Sequence, residues 1–116
     1  MARFVTGDVV VVPFPFTDLT NAKRRPALVL AELDGDDRIL CQITSQRVRD
    51  LYAVELDDSD FQSGSLRQKS QIRPNRLFTC DIRIILYQIG QLHSVKIDET
   101  IEKVIEILRA SKPPSN

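Results

Sequence analysis

The chain has 116 residues, 42% of them hydrophobic and 28% charged, with 4 Gly and 6 Pro, which is room for one domain with its own core and no second. That composition excludes collagen-like, low-complexity and disulfide-dense classes, and no run approaches the roughly 18 apolar residues needed to span a bilayer. Sixteen basic residues cancel sixteen acidic ones, so no whole-molecule field points to a nucleic acid, and any such reading rests on local clustering.

The N-terminus, Met1-Ala2-Arg3-Phe4, reaches Gly7-Asp8 without the apolar core of a signal peptide. A cytoplasmic protein that makes no membrane contact is the expectation. One domain is expected over 1–116, its core within 5–110 and its last six residues, 111–116, a frayed tail. Cys41 and Cys80 lack the neighbouring His and Cys of a zinc site, and two reduced, buried thiols are expected.

In chain order, Gly7-Asp8 reads as a turn opening onto Val9–Val12, a β-branched run stopped by Pro13. Four consecutive valines predict a strand buried on both faces. Phe14 to Asn21 is loop chemistry. Pro26–Ala31 predicts a second buried strand, entered through Lys23-Arg24-Arg25 and closed by Asp34-Gly35-Asp36-Asp37 in a hairpin turn. The third strand alternates: Ile39, Cys41 and Ile43 share one face, Leu40, Gln42 and Thr44 the other. Thr44 is thereby carried away from the face that Ile39 and Ile43 bury. Tyr52, Val54 and Leu56 repeat the alternation in a fourth strand. Asp57 to Lys69 is polar and predicts a long loop, and a fifth extended segment covers Ser70 to Thr79, with Pro74 marking an edge or a bulge.

Asp81 suits the cap of a short helical turn through Ile85, and Tyr87–Leu92 is a brief apolar piece containing Gly90. One helix follows, with Asp98 as N-cap, Glu99 at its positive start and Arg109 at its end. Ile101, Val104, Ile105 and Leu108 form its apolar stripe. Five short strands and a terminal helix predict a mainly β (α+β) domain, a small bent antiparallel sheet or barrel.

The usual catalytic clusters are missing. His93 is the single histidine, which excludes chemistry by a histidine pair, and it has no partner in a recognisable frame. No phosphate-cradling glycine loop and no metal-ligand spacing is present; Asp57-Asp58-Ser59-Asp60 reads as a solvated loop, so no metal and no cofactor are expected. What remains is local. Strand alternation lets Lys23 and Arg25 converge while Arg24 points elsewhere. Residue physics alone reads the triplet first as a run that keeps a sheet edge soluble, and second as a phosphate clamp fixed to a rigid strand. Thr44-Ser45, and Ser70 with Arg73, Asn75 and Arg76, add hydroxyls and guanidiniums but no base.

Gly7 to Asp18 (GDVVVVPFPFTD) followed by Lys23 to Leu30 (KRRPALVL) resembles the first motif of the MazF/PemK family of toxin–antitoxin ribonucleases. Ile43-Thr44-Ser45 resembles its second motif, and Ser70 to Thr79 with Ile89-Gly90-Gln91-Leu92 its third. The resemblance covers 7–109. It implies an SH3-like antiparallel β-barrel with a C-terminal helix, a homodimer, and metal-independent, sequence-specific cleavage of single-stranded RNA, with a cognate antitoxin as inhibitor. It implies attack by the RNA's own 2′-hydroxyl, leaving a 2′,3′-cyclic phosphate and a 5′-hydroxyl. Arg25 and Thr44 fall on the catalytic positions. Thr17, Asp18, Lys23 and Arg24 fall in the loop covering the RNA groove; Ser45, Gln46, Ser70, Arg73 and Asn75 are further RNA-binding candidates. Base choice would come from loop residues, with Phe14, Phe16, Gln46, Arg47 and Asn75 as candidates. The alternative is a CcdB-like toxin on the same barrel, which grips a protein such as gyrase and cuts nothing. A third reading is a structural barrel that only pairs with another protein.

Overall fold

The computed structural model describes residues 3–14 and 23–110. Among the described residues seven strands, β1 (Asp8–Phe14), β2 (Lys23–Glu32), β3 (Asp37–Thr44), β4 (Val54–Leu56), β5 (Phe61–Gly64), β6 (Ser70–Asp81) and β7 (Tyr87–Leu92), are followed by helix α1 (Ser94–Ala110). They form one sheet in the order β4-β6-β3-β2-β1-β7-β5, with every pairing antiparallel. The architecture is an antiparallel β half-barrel with one C-terminal helix.

The central hairpins follow from the sequence. The valine run is buried on both sides: Val9 packs with Leu28, Cys41, Ile43, Ile72 and Leu92, while Val10 and Val12 pack with Ala27, Val29, Leu40 and Ile85 on the other face. Helix α1 covers the first cluster through Ile97, Ile101 and Val104. Phe4, Phe78 and Ile84 flank the second. Gly35 closes the β2–β3 hairpin at φ +78°, a backbone region glycine enters without steric cost. Cys41 and Cys80 are free, buried thiols in different clusters. Burial pushes Cys41 up to about 12 and Cys80, with Asp81 and Asp37 nearby, up to about 11, so both stay protonated at neutral pH.

Several expectations change. The polar stretch after Leu56 is not one long loop: Asp57 caps a 3-10 turn at Asp58–Asp60, and β5 then pairs with β7. Tyr87–Leu92 is a strand because it bridges β1 and β5, two partners remote in sequence. Pro74 marks a bulge: Gln42 faces Arg73 while Cys41 faces Leu77, so three residues of β6 loop out. Among the described residues β4 pairs only with Ser70–Ile72 of β6, so Pro74 also lies past the reach of that neighbour. The helix starts one turn earlier than Asp98, at Ser94, where the His93 carbonyl accepts from the Lys96 and Ile97 amides. Burial of Ile97 and Thr100 on the sheet pulls that turn into the helix. The packed stripe accordingly shifts: Ile105 and Leu108 are 38% and 65% exposed.

Two buried polar groups and the half-buried Lys96 fasten remote parts together. Asp8 accepts from the Val5 amide and from Gln88 and Gln91 Nε2, tying β7 to β1 where their register shifts. Arg38 donates to the carbonyls of Phe4, Gly35 and Asp37. Lys96 reaches the Glu55 carbonyl and pairs with Asp60 and Glu99, fixing α1 to the sheet.

As expected, Asp81 caps a 3-10 turn at Ile82–Ile84. Its carboxylate accepts from the Arg83 guanidinium at 2.7 and 3.0 Å and from the Arg83 amide at 2.8 Å. These bonds lower its pKa from the ordinary 3.8 to about 2. A depressed carboxylate pKa stabilises the fold above the ordinary value, and that contribution is lost as pH falls through about 2. An NMR titration of the Asp81 carboxyl should show a midpoint near 2 that Arg83→Ala returns toward 3.8.

Candidate functional site: a cationic cleft at the ends of three strands

At one end of the sheet, β2 begins, β3 ends and β6 begins. Antiparallel pairing aligns them: Ala27 faces Gln42, which faces Arg73, and Thr44 faces Gln71. Continuing the β2–β3 count by two residues brings Arg25 opposite Thr44. Facing residues in an antiparallel pair share a side, with Cβ atoms about 5 Å apart. Arg25 and Thr44 are 19 positions apart in the chain and become neighbours by register.

This end is hollowed into a cleft of about 370 Å³. Strand β2 supplies Arg24, Arg25 and Pro26, and β3 supplies Gln42, Ile43 and Thr44. The loop after β3 adds Ser45, Gln46 and Val48; Leu66 and Gln68 come from the loop before β6, and Ser70 and Arg73 from β6 itself. Three guanidiniums line it, and no carboxylate or imidazole does among the described residues. Its field suits a polyanion.

The β3–β4 loop forms a fixed wall. Gln71, 7% exposed, accepts from the Val48 amide at 2.8 Å and donates to Glu55 at 2.7 Å. Arg73 donates to Asp50 at 3.0 Å across 23 residues of chain. Burial opposes the Asp50 charge, but the Arg73 bond and the Tyr52 and Ala53 amides outweigh it and hold the carboxyl below its usual range. Thr44 Oγ1 accepts from the Gln46 amide at 3.1 Å, which orients the hydroxyl and leaves its proton to donate elsewhere. Ser70 Oγ donates to the Gln68 carbonyl at 3.2 Å.

Of the candidate residues, Arg24, Arg25, Thr44, Ser45, Gln46, Ser70 and Arg73 therefore meet in one cleft. Lys23 and Asn75 do not line it: Lys23 faces Phe14 at the start of β2, and Asn75 sits on the β6 bulge. The expected convergence of Lys23 with Arg25 is replaced by Arg24 with Arg25. Alternation fixes only the direction of Cβ, whereas a cleft at a strand's end also admits long arginine stems from the neighbouring position. Arg73 gives one Nη2 contact to Asp50 while its buried Nε has no partner among the described residues, and Arg47 lies 3.7 Å from Glu55 outside this cleft. Phe14 packs at 5.9 Å on Phe78. Thr17, Asp18 and Phe16 lie outside the described residues. Sequence reasoning missed Gln42, although its shared face with Thr44 was the available signal. It also missed Gln68 and Asp50, which sit in loops with no periodicity to read.

Residues 6–108 match the family model described as PemK-like, MazF-like toxin of type II toxin–antitoxin system. No curated protein matches the chain in sequence. Among solved structures, an endoribonuclease in complex with its cognate antitoxin from Mycobacterial species superposes with a TM-score of 0.71 at 13% identity, over 95% of this chain and 99% of that one. MazE–MazF from Deinococcus radiodurans gives 0.69 at 21% identity, over 93% and 97%. The Mycobacterium tuberculosis toxin MazF-mt6 gives 0.69 at 17% identity, over 88% and 96%. At these identities the likeness is one of fold. No helix among the described residues is long and apolar enough to cross a membrane.

Proposed function

Since the chain belongs to the PemK-like, MazF-like family of type II toxin–antitoxin toxins, we propose that it is an endoribonuclease toxin that cuts single-stranded RNA at the Arg25–Thr44 cleft, without a metal. The observation that carries this reading is the convergence of Arg25 and Thr44 at one end of the sheet, in a cleft whose described lining has three guanidiniums and no carboxylate. The RNA's 2′-oxygen attacks the adjacent phosphorus, the bond from phosphorus to the 5′-oxygen breaks, and a 2′,3′-cyclic phosphate and a 5′-hydroxyl remain. The 2′-hydroxyl loses its proton and the leaving oxygen gains one. The Arg25 fork donates two charge-assisted hydrogen bonds to the non-bridging oxygens and the Thr44 hydroxyl a third, as negative charge builds there. The Asp50–Arg73 pair and Gln71 hold the wall on one side. DNA lacks the nucleophile and is bound without being cut.

An arginine is a poor proton carrier near neutral pH, its pKa exceeding about 12. Both transfers are therefore assigned to water. The rate of cleavage is expected to rise with pH through the neutral range without a bell, as the 2′-hydroxyl is deprotonated more readily. A bell-shaped profile would overturn that assignment and direct attention to a titrating side chain beyond the described residues, Asp18 first.

Two partners extend the proposal: a cognate antitoxin, as the structurally similar endoribonuclease from Mycobacterial species has in its solved complex, which would here cover the cleft, and a second copy of the chain in the cytoplasm. A CcdB-like poison that grips a protein has no use for a guanidinium–hydroxyl pair set for phosphate. The test is incubation of the purified protein with a long unstructured RNA, and with DNA of the same sequence, in EDTA. RNA-only cleavage with cyclic-phosphate ends supports the reading. Intact RNA, from folded and antitoxin-free protein, overturns it.

A further inference from the structure

The cleft holds two chemically different sets of groups. Arg24 and Arg25 suit a phosphodiester, but Gln42, Gln46 and Gln68 also line it. Of the glutamines outside it, three serve the fold, Gln71 bonding Val48 and Glu55 and Gln88 and Gln91 bonding Asp8, and the fourth, Gln62, is exposed on β5. The side-chain amides of Gln42 and Gln68 make no hydrogen bond to another described residue. A neutral amide adds little to phosphate binding beside two guanidiniums. Its adjacent donor and acceptor instead match the paired groups on a nucleobase edge.

Position sharpens the point. Gln42 is half-buried in the middle of the sheet, between Ala27 on β2 and Arg73 on β6, so its stem is held on a rigid element. It shares a face with Thr44 two residues away, about 7 Å along the strand. A base attached at the scissile phosphate can reach it. Gln68 approaches the same cleft from the loop before β6, whose geometry is pinned by the Ser70 hydroxyl on the Gln68 carbonyl.

We infer that Gln42 and Gln68 are specificity-determining residues: they hydrogen-bond the edge of a nucleobase adjoining the phosphodiester at Arg25 and Thr44, so this part of the cleft takes a base and not a second phosphate. The inference rests on the RNA-cleavage reading for the identity of its ligand. It is tested by sequencing the 5′-hydroxyl ends that wild type, Gln42→Ala, Gln68→Ala and Gln42→Glu generate from one long RNA. Binding of all-2′-deoxy oligonucleotides that differ in a single base, and that cannot be cleaved, is measured alongside.

Wild type should favour one base beside the cut, and each alanine variant should lower that preference about tenfold. Gln42→Glu keeps the shape but loses the donor, and should change which base is preferred. Gln68 is exposed in a loop, so its variant answers independently of any folding defect at Gln42. Gln62→Ala, exposed on β5 away from the cleft, should match wild type. Protein that cuts nothing, yet loses base-dependent binding in the variants, overturns the cleavage reading and leaves the base subsite standing. Unchanged cut sites and affinities in all three variants, or wild-type binding that is equal for every base, overturn the inference.

Discussion

Arg25→Ala should slow RNA cleavage by about 10²- to 10³-fold, the usual effect of deleting one preorganised donor to a developing oxyanion. Folding stability should change by no more than about 0.5 kcal/mol, as for other exposed positions. The two halves separate because of where Arg25 sits. Its backbone is fixed in β2 opposite Val12, but its side chain is exposed and makes no ion pair or hydrogen bond with another described residue. The guanidinium is thus held in place by the sheet and free to spend its donors on a ligand. Arg25→Lys tests the fork itself: it keeps the charge and loses the planar pair of donors, so it should recover only part of the rate. Single-turnover rates and urea unfolding of the same preparations check both halves. An Arg25→Ala protein that cuts as fast as wild type would remove this cleft from the chemistry.

The second large effect is on stability. Gly64 of β5 faces Gly90 of β7, and neither position has room for a side chain. A Cβ on Gly64 would overlap the Ile89 carbonyl oxygen, and one on Gly90 the Ser63 carbonyl oxygen. Both obstacles are backbone, so no rotamer change relieves them. Gly64 also has φ +76°, a region costing other residues roughly 1–2 kcal/mol. With an overpacking term of about 1–3 kcal/mol, Gly64→Ala should cost about 2–5 kcal/mol, and Gly90→Ala somewhat less. Urea or thermal unfolding measures it. A loss below about 0.5 kcal/mol in both would mean that β5 does not lie this close to β7. Detachment of β5 would also expose Phe61, part of the cluster under α1, and loosen the loop that carries Leu66 and Gln68 into the cleft.

These two glycines show how function and fold are distributed. The catalytic candidates stand on central strands with strong local signals, whereas the loop bearing Gln68 hangs from an edge strand whose existence depends on a backbone contact 26 residues away. Stability of the edge and rate at the cleft should therefore be separable by mutation. Arg25 variants should lose activity at constant stability, and Gly64 variants stability first.

The sequence by itself determined the centre of the sheet. Val9–Val12 needs two apolar environments, the alternation from Ile39 to Thr44 assigns faces, and Gly35 closes the hairpin between β2 and β3. These are short-range signals, period two and turn chemistry, which act before any distant contact forms. That Arg25 and Thr44 line one cleft was expected too, though through likeness to the family's motifs and not through spacing.

Only the tertiary structure decided the rest. Phe61–Gly64 and Tyr87–Leu92 are strands because each finds a ladder partner far along the chain; four or six residues carry too little local preference to become strands alone. The helix gained a turn at Ser94 because Ile97 and Thr100 could be buried there. Arg73 reads in sequence as a spare cation, yet Asp50 claims it once β6 lies beside β3. Arg24 displaced Lys23 from the cleft, and Gln42 entered it, because a cleft's lining is set by register and by the ends of strands. Such contacts join positions remote in the chain, and their free energy appears only after the sheet has closed around them.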